Sequence, residues 1–351
     1  MRRTRLTLAA ALALATSVGV IAAPAVASAK PKQPIPVQLL AMNDFHGRIT
    51  PQAGTDGSLA TAPGPDGIYN DPSPTDDVTF EVGGAQHISA TVQALQAQFA
   101  QQSGGSTDSF FVGAGDLISA SPFESSVYKD EPTIEALNAM GLDISSVGNH
   151  EFDRGTEELR RISAATDGTY TDDVEACEGI TPGVDGCFGE GEHAFEGAEF
   201  PYLAANVISR ETGEPMLPPY QVFDVAGGRK IALIGVVTET TPTIVSPNGV
   251  SDVEFIDEAD AVNRWTKELK RQGIRSVGVL VHEGGSVTDP LAESTINGCT
   301  GLTGPIVDLN ARMDKDVDFI VSAHTHQAYN CLLPVRGSQP RLVTQAGFYG
   351  K

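Results

Sequence analysis

Positive charge is in short supply in this chain. Its 351 residues include 23 Lys and Arg against 45 Asp and Glu, a formal charge of −22. Such a balance opposes nonspecific attraction to nucleic acid. An anionic ligand must therefore meet positive charge that is concentrated locally or carried in by bound cations. Cysteine is scarce as well: Cys177, Cys187, Cys299 and Cys331 form no C-x-x-C pair, which excludes zinc-knuckle spacing. Beyond Ala29 no apolar run is long enough to cross a bilayer. No internal repeat is visible, and Trp265 is the single tryptophan, in a strongly helical segment where it reads as a packing residue.

The first residues carry a pattern of their own. Arg2, Arg3 and Arg5 precede an Ala/Leu/Val run from Leu6 to Ala23 and then Ala27-Ser28-Ala29. A basic start, a short apolar core and a small-x-small site read as a secretory signal over residues 1–29, with a Pro/Lys linker over 30–36. The expected location is secreted or in the cell envelope. In an exported chain, four cysteines suggest two disulfides. Loop proximity favours Cys177–Cys187 and Cys299–Cys331 among three connectivities, both as staples of surface loops.

Along the chain, strand-type runs alternate with helical periodicity. Strands are expected at Val37–Met42, Ser109–Val112, Ile144–Val147, Tyr202–Ala204, Gln221–Val225, Lys230–Val237, Ser276–Val281, Phe319–Val321 and Leu342–Gln345. Helices are expected at Ala85–Ala100, Glu131–Met140, Thr156–Ala165 and Ala259–Arg271. Gly54–Asp77 and Asp167–Glu199 are rich in Gly, Asp, Pro and Thr and read as loop excursions. This order argues a layered α/β fold with helices on the sheet faces and ligands at the C-terminal strand edges.

Five apolar runs end abruptly in a carboxylate, amide or imidazole. They end at Asp44 with His46, at Asp116, at Asn149 with His150, at His282, and at His324 with His326. Five of the seven histidines sit at these ends. Mixed Asp, Asn and His ligands gathered on loops after strands suit a pair of divalent cations. Asp44 and His46, and again His324 and His326, are spaced i, i+2, which in a strand puts both residues on one face. His87 and His193 match no such position and read as surface or loop residues.

Taken in order, Asp-x-His, Gly-Asp, Gly-Asn-His-Glu, His and His-x-His resemble the calcineurin-like metallophosphoesterases. Asn43-Asp44-Phe45-His46-Gly47-Arg48, Gly115-Asp116-Leu117-Ile118, Ser146-Val147-Gly148-Asn149-His150-Glu151-Phe152-Asp153 and Gln345-Ala346-Gly347-Phe348-Tyr349-Gly350-Lys351 narrow the resemblance to the 5′-nucleotidase/2′,3′-cyclic-nucleotide phosphodiesterase (UshA-like) group. The resemblance covers Val37 to Lys351. It implies a first metal held by Asp44, His46, Asp116 and His326, and a second by Asp116, Asn149, His282 and His324. Asp116 would bridge ions roughly 3.5–4 Å apart. His150, oriented by Asp153, would stabilise the transition state or protonate the leaving oxygen. Asn149 and Arg48 are candidates for contacting the phosphate. Water made acidic by the metal pair would attack phosphorus in line. The metals fitting such ligands are zinc, manganese, cobalt or iron.

Several residues depart from the family pattern: Ser322-Ala323 before His324, Glu283 after His282, Gln86 in the helix-opening Gly-Gly-Ala segment, and Arg154 after Asp153. Members of the family usually continue into a second, nucleotide-binding domain, and the 37–351 region is expected to stop short of it. The resulting expectation is a monomeric, exported hydrolase of nucleotide phosphoesters. Its expected partner is a small-molecule substrate, with no nucleic acid and no transmembrane segment in the mature chain. Two other readings stay open: a nucleotide-sugar or polyphosphate hydrolase, and a catalytically silent cell-surface binding protein.

Overall fold

The central apolar runs, such as 231–237 and 277–282, form strands buried on both sides, whereas edge runs such as Tyr220–Val225 are half-buried. In the computed structural model, residues 34–351 are described apart from 66, 68–76, 164–175, 178, 179, 185, 190–194, 288–297 and 300. The signal over 1–29, most of the linker over 30–36, His193, and parts of the 54–77 and 167–199 excursions lie outside the described residues. In chain order the elements are β1 (Gln38–Met42), β2 (Ser58–Ala62), β3 (Val78–Glu81), α1 (Ala85–Gln102), β4 (Ser109–Ala114), α2 (Phe123–Ser126), α3 (Glu131–Met140), β5 (Ile144–Ser146) and α4 (Thr156–Ile162). There follow β6 (Tyr202–Leu203), β7 (Val207–Ser209), β8 (Tyr220–Val225), β9 (Arg229–Val237), β10 (Val253–Phe255), α5 (Glu258–Arg271) and β11 (Ser276–His282). The order closes with α6 (Pro305–Arg312), β12 (Phe319–Ser322), β13 (Ala328–Leu333) and β14 (Arg341–Ala346).

Two sheets carry the site. The first runs β1-β4-β5-β6, all parallel. The second runs β13-β14-β12-β11-β9-β8, with a parallel centre (β14, β12, β11, β9) and antiparallel edges. The period-2 alternation of each strand decides which core a side chain enters. In β4, Phe110, Val112 and Ala114 join Ile144, Leu203, Leu233, Leu280, Val321 and Ala323 in an apolar layer between the sheets, while Phe111 faces the opposite way. On that outer side Phe111 meets Val92 of α1, Ile134 and Leu137 of α3 and Leu159 of α4. The outer face of the second sheet (Ala232, Ile234, Val236, Val277, Val279, Val281) packs on Val262 and Leu269 of α5 and on Ile306 and Leu309 of α6. The result is helix, sheet, sheet, helix. Each fully buried Leu, Ile or Val contributes about 1.5–3 kcal/mol.

The sheets approach closely at Gly235, where a Cβ would lie 2.3 Å from the Cβ of Leu203. The helices begin and end for local reasons. Asp257 accepts the Asp260 N–H at 2.9 Å and caps α5. Pro132 occupies the first turn of α3, which Gly141 ends in the left-handed region at φ 73°. Trp265 of α5 packs edge-on against Tyr220, ring centroids 5.5 Å apart. No described helix is long and apolar enough to cross a membrane.

Some sequence expectations need correction. The 54–77 excursion is not wholly irregular, since β2 pairs antiparallel with β3 and sets Leu59 opposite Phe80. That strand exists through cross-strand pairing, which a Gly- and Thr-rich composition hides. The helix expected over Thr156–Ala165 ends at Ile162, where the Ser163 hydroxyl donates to Leu159 O at 2.9 Å. The short β7 and β10, together with β13 and α6, gave no periodic signal. Disulfides join Cys177 to Cys187 and Cys299 to Cys331. The second is no mere loop staple, because Cys331 lies in β13 and is fully buried.

Candidate metal centre and active site

The loops after β1, β4 and β5 of one sheet meet the ends of β11 and β12 of the other. Asp44, His46, Asp116, His324 and His326 all have positive φ, between 48° and 72°. Asp44 and His46 therefore lie past β1 in left-handed backbone, and strand alternation does not bring them together. Tight turns do. Five non-glycine residues in this strained region must be held by their surroundings. The holding bonds are visible: Asp44 N donates to Gly115 O and His46 N to Asp116 O, both at 3.0 Å, and His324 N donates to Asp44 Oδ2 at 3.0 Å.

Asp116 is the centre of the arrangement. Its Oδ2 lies 3.7 Å from His46 Nε2 and 3.0 Å from His282 Nε2, and its Oδ1 accepts the His150 N–H at 2.8 Å. His46 Nδ1 lies 3.0 Å from Ser119 O, and His282 Nδ1 lies 2.8 Å from Ala114 O. A carbonyl accepts only from a protonated nitrogen, so in the neutral ring each Nδ1 carries the hydrogen and each Nε2 keeps its lone pair for a ligand. Asp44 Oδ1 lies 3.2 Å from His326 Nε2 and 4.0 Å from His46 Nε2.

Among the described residues, the ligand atoms of Asp44, His46 and His326 lie within 4.8 Å of one another, as do those of Asp116, His282 and His324 and those of His46, Asp116 and His150. Asp44 Oδ1 and Asn149 Oδ1 are buried with no hydrogen-bond partner, and buried His282 Nε2 meets only the Asp116 carboxylate, at 3.0 Å. Buried polar atoms are normally satisfied, and two divalent cations, one at Asp44 and one between Asn149 and His282, would satisfy these three. The donor set, carboxylate, imidazole and amide oxygen, suits such ions.

The electrostatics lead the same way. Burial works against charge on Asp116, yet His282 beside it holds its carboxyl well below the usual range. Burial also opposes protonation of His282, but Asp116 outweighs it and pushes the imidazole up to about 10. Burial lowers His46, and burial with the charge of His282 lowers His324.

His150 stands at the rim, its side chain one-third exposed. Its Nδ1 lies 2.7 Å from Asp153 Oδ2, and its ring centroid is 4.9 Å from that of His46. The bond from Asp153 raises its pKa. A single 3-10 turn over His150–Phe152 brings the pair together. The departure at Arg154 has a local use: it donates to buried Asp130 at 2.9 Å and to Ser126 O at 3.1 Å, tying this turn to the start of α3. Glu283 is buried and accepts its neighbour's Gly284 N–H, while Ser322 bonds Tyr329 and Thr344 O. His87 and Gln86 are exposed in the first turn of α1.

Two contributors had no assigned role in the sequence. Asn43 donates to Asp44 Oδ2 and to Gly347 O, both at 2.6 Å, and accepts from Ala346 N at 3.0 Å. Glu151, fully enclosed, accepts the N–H groups of Asp116, Leu117 and Gly148 at 2.5–2.9 Å. Both stand beside ligands inside the quoted motifs, which was their only signal. Arg48 turns its guanidinium to His46 O, Ala120 O and the Tyr349 ring.

Comparison with known proteins agrees with this geometry. The chain is 35% identical over 321 residues to "Endonuclease YhcR" of Bacillus subtilis, a match covering 92% of this chain and 22% of that protein. It is 27% identical over 238 residues to a 5′-nucleotidase of Vibrio vulnificus, covering 67% of this chain and 35% of the other. The chain thus spans between a fifth and just over a third of these curated relatives. Among solved structures, a 5′-nucleotidase precursor from Thermus thermophilus superposes with a TM-score of 0.61 at 20% identity, over 90% of this chain and 49% of that one, a likeness of fold. The profile of the calcineurin-like phosphoesterases matches residues 37–328, which span every proposed ligand, and the chain accordingly belongs to that family of metal-dependent hydrolases.

Proposed function

We propose that this chain is an exported phosphoesterase of nucleotides, releasing phosphate from 5′-monophosphates and opening 2′,3′-cyclic phosphates to monoesters. The observation that carries the reading is the position of Asp116, one carboxylate within reach of His46 on one side and His282 on the other. Asp44, His46, Asp116 and His326 would hold one divalent cation, and Asp116, Asn149, His282 and His324 a second, whether zinc, manganese, cobalt or iron. Bound there, two such ions polarise phosphoryl oxygens, offset the charge that develops on them and acidify water.

The chain's own groups do the rest. The Asn149 amide, one residue before the His150 N–H that Asp116 accepts, orients the phosphoryl group. His150 holds a proton at Nε2 for the departing oxygen, and Asp153 keeps Nδ1 protonated and the ring aimed. The bond to Asp153 raises the pKa of His150 and so favours the protonated ring. A signal over residues 1–29 and a linker over 30–36 would deliver the 37–351 region outside the cell.

A second reading has one specific support, the 35% identity to a relative named an endonuclease. The same centre could open phosphodiesters in nucleic acid, against which the charge of −22 acts. Measuring bound metal together with hydrolysis of AMP, 2′,3′-cyclic AMP, UDP-glucose, p-nitrophenyl phosphate and a single-stranded oligonucleotide separates the readings. Faster turnover of the oligonucleotide or of UDP-glucose than of AMP would displace the nucleotidase proposal.

A further inference from the structure

We infer that Arg48 and Tyr349 form a clasp that positions the imidazoles of the first half-site, so that Arg48 is a positioning residue and not a ligand of the substrate phosphate. The inference deepens the phosphoesterase reading and rests on it. Arg48 follows His46 by two residues, and its Nη1 donates to His46 O at 3.0 Å and to Ala120 O at 3.1 Å. Its Nε is buried without an acceptor, and its Cζ sits 4.0 Å from the centre of the Tyr349 ring. One nitrogen is thus committed to two carbonyls, and the flat face is covered by an aromatic ring. The guanidinium thus ties the loops together by one doubly committed donor and a cation–π contact.

The same ring reaches the ligands. Tyr349 stands edge-on to His46 at 5.7 Å and to His326 at 5.6 Å. Phe348 beside it stacks on His326 at 4.8 Å with planes 14° apart. Tyr349 N donates to Asp44 O at 2.8 Å, and Tyr349 itself has φ 58°. The opposite wall is matched to the clasp. Ser119 and Ala120 are consecutive left-handed residues, φ 64° and 46°, which present one carbonyl to His46 Nδ1 and the next to Arg48. Backbone from three separate segments, 44–48, 119–120 and 348–349, is therefore locked around two imidazoles. Loss of such support typically costs metal sites about 10–100-fold in affinity.

The test is calorimetric titration of the metal-stripped full chain with zinc and with manganese, alongside steady-state hydrolysis of p-nitrophenyl phosphate and thermal melting. Arg48→Ala and Tyr349→Ala should each weaken one of two cation-binding events by about 10–100-fold. Arg48→Lys should recover little, because it keeps the charge and loses the flat face that Tyr349 covers, whereas Tyr349→Phe should recover most of what Tyr349→Ala loses. Excess metal should restore much of the rate, with KM changed little. Wild-type cation affinity in Arg48→Ala with a tenfold higher KM would overturn the clasp and make Arg48 a phosphate ligand. A lowered melting temperature with both binding events intact would also overturn it, leaving a purely structural role. A wild-type chain that binds two cations but hydrolyses no phosphoester would end the phosphoesterase reading alone, since the titrations still measure the clasp. A wild-type chain that takes up no cation would overturn both.

Discussion

The carboxylate of Glu151 accepts the backbone N–H of Asp116 at 2.9 Å, so one buried acid fixes the position of another. It also accepts from Leu117 and Gly148, which joins the loop after β4 to the loop after β5. Burial, and then the charge of Asp116, push Glu151 up to about 7. In Glu151→Gln an amide NH2 would face N–H groups that now meet an oxygen. Leaving buried donors unsatisfied costs about 1–3 kcal/mol. The variant should melt earlier by that amount and bind cations more weakly, as read by calorimetry in the presence and absence of zinc. Unchanged melting would show that the two loops are held by other contacts.

Asp116→Asn should lose both cations together, because one side chain serves both half-sites. Elemental analysis of the purified variant checks this. Two tightly held ions at full stoichiometry would refute the bridging role.

His150→Ala should keep its metal content while turnover falls roughly 10²–10⁴-fold, the range for a positioned acid or base. If His150 protonates the leaving oxygen, the loss should be smaller for p-nitrophenyl phosphate than for AMP. Equal losses for the two would assign it to stabilising the transition state alone.

Cation binding should release protons. In the ion-free protein His282 is raised from the ordinary histidine range to about 10 and so is protonated at neutral pH. Coordination at Nε2 needs the neutral ring, so uptake of the ion must expel that proton, and affinity must rise with pH up to about 10. Titrations at pH 7 in buffers of different ionisation enthalpy measure the number released. An apparent enthalpy independent of the buffer would contradict the assignment of His282.

Much of the fold was readable because burial on both sides writes itself as continuous apolar runs. Ser109–Val112, Ile231–Val237 and Val277–Val281 are strands in both readings, and α3 spans Glu131–Met140 in both. Elements whose residues are chosen by a distant partner were not readable. The exposed face of β2 exists because β3 pairs with it, and Cys331 anchors β13 to a residue 32 positions earlier.

The same division holds within the site. Sequence by itself determined which residue types end the strands: Asp44, His46, Asp116, Asn149, His150, His282, His324 and His326 are fixed by local order, and strand ends at one sheet edge must gather them. It could not decide which atoms face one another. His324 and His326, two residues apart, join different groups because left-handed backbone turns their rings apart, one toward His282 and the other toward Asp44. Nor could it give Asn43, Glu151 and Tyr349 their tasks, since each acts through hydrogen bonds or ring contacts with other segments, as Asn43 does with Gly347, 304 residues away. Ligand chemistry is a property of single side chains and survives in the sequence. Orientation is a property of several loops packed together, and it exists only once the two sheets have closed on each other.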